Sequence, residues 1–230
     1  MAARRSLLLV ISYGFFATLT VFYGLVERQS LFATFVSFHL IACLAIPIFH
    51  AYYWEGTLSK NWRRAWGTCG FRKPAGLLLG ISSGCLLFMV ILYGLQLLFS
   101  HEVHPLFVRQ VLEHWGLQEN WLWFFVFYII VINSLLEEVL WRGFVLERLL
   151  MGTAKRKALV LSSFFYSFYH FILGSALFGV KWGLLVTVLV FAVGVFWGWM
   201  KLHHQTVYPT WISHMLADAG IMAALLRYVF

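Results

Sequence analysis

The chain has 230 residues, 62% of them hydrophobic and only 11% charged, with a net charge of +8 and a mean hydropathy of +0.82. A soluble domain holds about 45–50% apolar and about 25% charged residues, so a soluble enzyme, a disordered regulator and a nucleic-acid-binding domain are all poor readings. At about 20 residues per crossing, the length fits one all-α polytopic bundle of transmembrane helices, a single integral membrane domain over residues 1–230.

Seven apolar stretches predict seven spans. The first covers about residues 6–26, after Arg4 and Arg5. It is too long for a signal-peptide core and no small-residue cleavage pattern follows, so it reads as a retained helix. The second covers about 31–54, and the third about 75–99, opened by Pro74 at a position suited to a helix start. The fourth runs from about 121 through a charged patch to about 150. The fifth (157–173), the sixth (177–202) and the seventh (209–230) complete the chain. The intervals 55–73 and 100–120 read as loops. Glu102, His104, Glu113 and His114 in the second loop read as ordinary loop polarity rather than as a small surface site. Trp54, Trp62, Trp66, Trp121 and Trp123 fall near predicted interfaces, where aromatic belts form.

Positive charge tests this division. Arg28, Arg109, Lys181 and Arg227 fall on one side of the membrane. The other side collects Arg4, Arg5, Lys60, Arg63, Arg64, Arg72, Lys73, Arg142, Arg148, Lys155, Arg156, Lys157 and Lys201, 13 of the 17 Lys and Arg residues. Positive charge favours the cytoplasm, which places the N-terminus there and the C-terminus outside. The three cysteines, Cys43, Cys69 and Cys85, form no metal-type pair and no disulfide framework.

Ionisable groups at the bilayer centre cost about 2.5–3.5 kcal/mol each on insertion scales. Three of the nine acidic residues nevertheless fall well inside predicted spans, away from their ends: Glu137, Glu138 and Asp218, accompanied by Arg142, His170 and His214. Glu138 and Arg142 are four apart and share a helix face. Glu137 points about 100° away from its neighbour, leaving it open to a different role. Tyr166 and His170, and likewise His214 and Asp218, repeat the four-residue spacing. At about 1.5 Å rise per residue, Glu137 and His170 sit at the same depth from the cytoplasmic ends of their helices, and His214 lies close to that level. Chance placement of six such residues at one depth is a poor explanation. His39 and His50, with no acidic partner nearby in sequence, read as packing histidines. His203 and His204 read as interfacial.

These residues resemble the CPBP family of intramembrane proteases, also called the Abi or type II CAAX prenyl endopeptidase family. Its pattern is EExxxR, then FxxxH, then HxxxN or HxxxD on a later helix. Here the first motif is Glu137-Glu138 with Arg142, the second ends at His170, and the third is His214 with Asp218, preceded by the similar lead-in Val207-Tyr208-Pro209-Thr210-Trp211-Ile212-Ser213. The likeness covers about residues 120–222. Tyr166 stands where the motif usually has Phe, and Asp218 where prenyl-processing members have Asn. An ionised Asp donates no hydrogen bond.

The resemblance implies an endopeptidase that cuts a peptide bond near the membrane-attached or C-terminal end of a protein substrate. Glu137 is the expected general base, with His170 sharing its water and Glu138 and Arg142 bracing the site. His214 is expected to stabilise the oxyanion, and Asp218 to set the tautomer of His214. No cofactor is required on this reading. A zinc site of Glu137, His170 and His214 is the metal alternative, although HExxH is absent. Ser134 is a weak nucleophile candidate. The expected partners are a membrane-tethered protein or peptide and the lipid bilayer, with no nucleic acid, and the expected location is a bacterial inner (cytoplasmic) membrane. Two other classes compete: a non-enzymatic scaffold or bacteriocin self-immunity protein, and a proton-coupled transporter. Against the latter stands the lack of an internal repeat.

Overall fold

The computed structural model describes residues 2–56, Trp66 and residues 74–230, and every element among them is helical. Lys60, Trp62, Arg63, Arg64, Cys69, Arg72 and Lys73 lie outside the described residues. Helix α1 is Ala2–Phe22, continued by a wide turn over Tyr23–Glu27. Helix α2 spans Leu31–Trp54, α3 Pro74–His101, α4 Pro105–His114, α5 Glu119–Gly152, α6 Lys155–Phe178, α7 Val180–His204 and α8 Tyr208–Tyr228.

Six of these (α1, α2, α3, α5, α6 and α7) are long and apolar enough to cross a membrane. The seventh expected crossing, α8, is present as one 21-residue helix. Its composition falls short of that criterion because Ser213, His214, Asp218 and Arg227 replace apolar residues. Those polar groups need no lipid: Ser213, His214 and Asp218 are buried among the other helices. The bundle is correspondingly apolar outside, with Leu78, Leu86, Leu97, Phe127, Leu184 and Val188 all exposed.

The helix boundaries have local causes. Ser30 accepts from the Ala33 backbone N–H (3.2 Å) and caps α2. Gly179, at φ +84°, makes the α6–α7 turn, a conformation that L side chains avoid. Gln205, at φ +58°, ends α7, and Pro209 sits in the first turn of α8. The loop expected over residues 100–120 instead contains α4, an amphipathic helix that buries Val108 and Leu112. The four polar residues noted there disperse. Glu102 meets Lys181 (3.5 Å), His104 caps α4 through Leu106 N (3.3 Å), Glu113 pairs with Arg109 (2.8 Å) and His114 meets Gln29 (2.7 Å).

Besides the end of α1, helices α2 and α5 depart from regular winding. Helix α2 widens to i→i+5 hydrogen bonding over Phe35–Ala45, just before Pro47, whose missing N–H already breaks the regular ladder. Helix α5 widens over Tyr128–Asn133 and again over Val139–Val145. Between them lies the ordinary turn Ser134–Glu138, which carries both glutamates.

Helix α8 lies along α3. Gly76, Gly80 and Gly84 repeat at four-residue spacing and clear one side of α3. A Cβ on Gly80 would stand 2.5 Å from the Pro209 carbonyl oxygen, and one on Gly84 2.7 Å from Leu216. From the other side, a Cβ on Gly220 would stand 2.9 Å from the Phe88 carbonyl oxygen. Small residues at this spacing let two helix backbones meet inside a membrane. The Ser83 hydroxyl adds a 3.0 Å bond to Ser213. This contact fixes the height of His214 and Asp218.

Candidate active site

Helices α5, α6, α7 and α8 bring the expected residues into one buried cluster. Glu138 is fully buried, and its Oε1 accepts from Arg142 Nη1 (2.8 Å) and from His214 Nδ1 (3.1 Å). The four-residue spacing supplies the first bond and the packing of α8 supplies the second. Arg142 is enclosed by the ring faces of Tyr166 (4.3 Å) and Trp197 (5.1 Å), and Nη2 approaches the Gly194 carbonyl oxygen (3.5 Å). A guanidinium disposes of its charge here through a carboxylate, two π faces and a carbonyl, which is what makes its burial tolerable.

His214 is held on every side. Its ring stacks on Trp197 at 4.5 Å, and the Trp197 indole N–H donates to Ser213 Oγ (2.9 Å). Because Glu138, ion-paired with Arg142, only accepts, His214 Nδ1 carries a proton and Nε2 faces the remaining groups. The Tyr166 hydroxyl lies 3.4 Å from Nε2, Glu137 Oε2 3.7 Å and Asp218 Oδ1 3.7 Å. Glu138 is therefore the carboxylate hydrogen-bonded to His214, at the place the expected tautomer-setting role gave to Asp218. Asp218 sits on the other ring nitrogen, beyond hydrogen-bond distance, because its four-residue offset along α8 reaches the Nε2 side of the ring.

Glu137 is buried, and its Oε2 has no hydrogen-bond partner among the described residues. The Tyr169 hydroxyl beside it is close enough to interact with the Glu137 carboxylate, without a well-formed hydrogen bond. Among the described residues, both glutamates leave Oε2 without a hydrogen bond, but Glu138 Oε1 holds Arg142 and His214, whereas Glu137 has no arginine paired to it. His170 donates Nδ1–H to the Tyr166 carbonyl oxygen (2.8 Å), and its ring packs at 4.4 Å from that of Tyr169. Its Nε2 lone pair is therefore uncommitted.

Glu137 Oε2 and Asp218 Oδ1 each lie 3.7 Å from His214 Nε2, while Nδ1 is bonded to Glu138. Among the described residues, no three His, Cys, Asp or Glu side chains are arranged to hold a metal ion. Ser134 is structural in its bonding. Its hydroxyl donates to the Ile130 carbonyl oxygen (2.6 Å) and accepts from the Trp211 indole N–H (3.2 Å), tying α5 to α8.

Sequence reasoning missed Trp197 and Asn133, and gave Ser213 no role beyond the lead-in to the third motif. Nothing local marks Trp197. Asn133 carried a signal, an amide inside an apolar span, four residues before Glu137. Its Nδ2 donates to Asp218 Oδ2 (3.2 Å) and its Oδ1 accepts from His39 Nε2 (3.0 Å). His39 and His50 keep packing roles in part, but each has polar partners from distant helices. His50 Nδ1 meets the Tyr13 hydroxyl (3.2 Å) and its Nε2 meets Glu55 (3.4 Å).

Residues 119–220, a little under half of the chain, match the family model described as type II CAAX prenyl endopeptidase Rce1-like. The match covers all three motifs and bears out the resemblance. It supports a protease role in general, a membrane-associated protein substrate and a multi-pass integral membrane protein. No curated protein and no solved structure matches the chain.

Proposed function

We propose, from the match of residues 119–220 to the type II CAAX prenyl endopeptidase Rce1-like model, that this chain is an intramembrane endopeptidase using a Glu137-activated water. It hydrolyses a peptide bond near the membrane-attached or C-terminal end of its substrate. The observation that carries the reading is the unequal treatment of two neighbouring carboxylates. Glu138 spends Oε1 on Arg142 and His214, whereas Glu137, buried at the same level, has no arginine paired to it and no hydrogen bond on Oε2 among the described residues. A buried carboxylate oxygen without a partner is costly unless water or substrate satisfies it.

On this reading, Glu137 takes a proton from water as the water oxygen bonds to the scissile carbonyl carbon. His170 Nε2 accepts the other water proton in a hydrogen bond and orients the attack. The Tyr166 hydroxyl, held beside His214, is the donor for the developing oxyanion. The C–N bond then breaks as Glu137 returns its proton to the leaving nitrogen. Glu138 and Arg142 brace His214, and Asp218 lines the Nε2 side. No metal takes part. The positive charges place the N-terminus in the cytoplasm, and the proposed location is a bacterial inner membrane.

The test compares protein termini by mass spectrometry in membranes carrying wild type or Glu137→Gln at equal expression. The expected result is a terminus present only with wild type. The Gln variant should be about 10²–10⁴-fold slower, the range for loss of a general base. Identical termini would reject the reading and favour a scaffold or immunity protein with a structural polar cluster.

A further inference from the structure

Behind Asp218 runs a chain of polar side chains that the proposed chemistry does not use. The Tyr128 hydroxyl lies 2.7 Å from His39 Nδ1, His39 Nε2 lies 3.0 Å from Asn133 Oδ1, and Asn133 Nδ2 lies 3.2 Å from Asp218 Oδ2. The directions follow from the last acceptor. A carboxylate takes hydrogen bonds, so the Asn133 amide turns its N–H toward Asp218 and its oxygen toward His39. His39 then donates from Nε2 and accepts the Tyr128 hydroxyl proton at Nδ1, which needs only one ring proton. His39 and Asn133 each use one donor and one acceptor, and the chain ends on the oxygen of Asp218 that does not approach His214.

The backbone is shaped to make this contact. His39 lies in the widened stretch Phe35–Ala45 of α2, and Asn133 ends the widened stretch Tyr128–Asn133 of α5. A wide turn rotates the following side chains relative to a regular helix and is frequent at functional sites. Asn133 and Glu137 share one face of α5 at four-residue spacing. The amide that grips Asp218 and the proposed base therefore move as one rigid unit. His39 is also fixed by ring packing on Phe35 (5.4 Å) and Phe38 (5.1 Å).

We propose that Asn133, backed by His39, is a positioning residue of the active site, acting through Asp218. It holds the Asp218 carboxylate with Oδ1 toward His214 Nε2. This rests on the hydrolase reading above. It predicts that amide and carboxylate are exchangeable. In Asn133→Asp/Asp218→Asn, the carboxylate at 133 still accepts from His39 and now accepts from the amide at 218, so every bond of the chain survives. In Asn133→Asp alone, two carboxylates face each other with no donor between them.

The experiment measures two quantities on wild type, Asn133→Asp, the double variant and Glu137→Gln. One is the thermal midpoint of the purified, detergent-solubilised protein. The other is turnover of a peptide spanning the junction found by terminus mapping. Asn133→Asp is expected to lower the midpoint and to lose at least about tenfold in kcat, with KM little changed, the scale on which groups behind a reacting residue act. The double variant is expected to recover both to within about threefold of wild type in kcat, the level at which the restored bonds leave no tenfold, 1.4 kcal/mol deficit. A double variant no better than Asn133→Asp in midpoint or kcat overturns the proposal. So does full kcat in Asn133→Asp beside an inactive Glu137→Gln. If termini are unchanged even in Glu137→Gln, the hydrolase reading fails and this inference falls with it.

Discussion

Helix α8 is held by two contacts built on opposite principles. Against α3 it meets glycines, and affinity comes from the closeness of two backbones: Gly80 at Pro209, Gly84 at Leu216 and Gly220 at Phe88. Against α5 it meets Glu138 through His214, Ser134 through Trp211 and Asn133 through Asp218. The first contact tolerates no added atom. The second tolerates no removed partner. In a bilayer, apolar faces do not drive helices together as they do in water, so close packing and buried polar bonds must both specify the neighbour. The arrangement teaches a division of labour: α3 sets the position of α8 and α5 sets its chemistry.

The comparison can be broken from either side, and the polar side should give the larger effect. Arg142→Leu leaves Glu138 buried without its cation, and about 3–5 kcal/mol of stability should be lost, as for other broken buried pairs. Denaturation of the detergent-solubilised protein would measure it. Adding Glu138→Leu should recover much of that stability while processing stays absent. A single variant as stable as wild type would show the pair to be solvated.

On the packing side, Gly80→Ala places a methyl against the Pro209 carbonyl, backbone that cannot swing aside. The expected loss is about 1–3 kcal/mol, the scale of overpacking, with processing reduced because His214 and Asp218 shift with α8. Unchanged stability and activity would mean that α3 does not locate α8. Smallest is Ser134→Ala, which removes one hydroxyl shared by Ile130 and Trp211. It should cost about 0.5–1.5 kcal/mol, the net worth of such a bond, and leave processing intact. Lost processing at normal stability would instead return Ser134 to the candidate nucleophiles.

Much of this was legible without coordinates. Runs of apolar residues placed the helices to within a few positions, since a bilayer admits few other solutions for such segments. The Glu138–Arg142 pairing followed from i, i+4 geometry alone. Helix α4 escaped notice because its apolar residues, Val108 and Leu112, form a stripe too short to stand out between charged neighbours. The exchange of roles between Glu138 and Asp218 at His214 escaped for a different reason. Spacing along α8 says that Asp218 is near His214, but not on which ring nitrogen, and Glu138 arrives from another helix.

The sequence by itself determined the all-helical membrane class, the helix positions, and the depth at which the carboxylates, the arginine and the histidines meet, because hydropathy and helical periodicity act within one segment. Only the tertiary structure decided that Gly76, Gly80 and Gly84 receive α8, and that His39 reaches Asp218 through Asn133 across 94 residues of chain on one bond and 85 on the next. It also decided which glutamate bonds His214. These outcomes depend on which faces adjoin, and lipid-facing and helix-facing sides are equally apolar in such a chain. The choice of neighbour is therefore made by backbone closeness and by the joint satisfaction of buried polar groups, and both are properties of the assembled bundle.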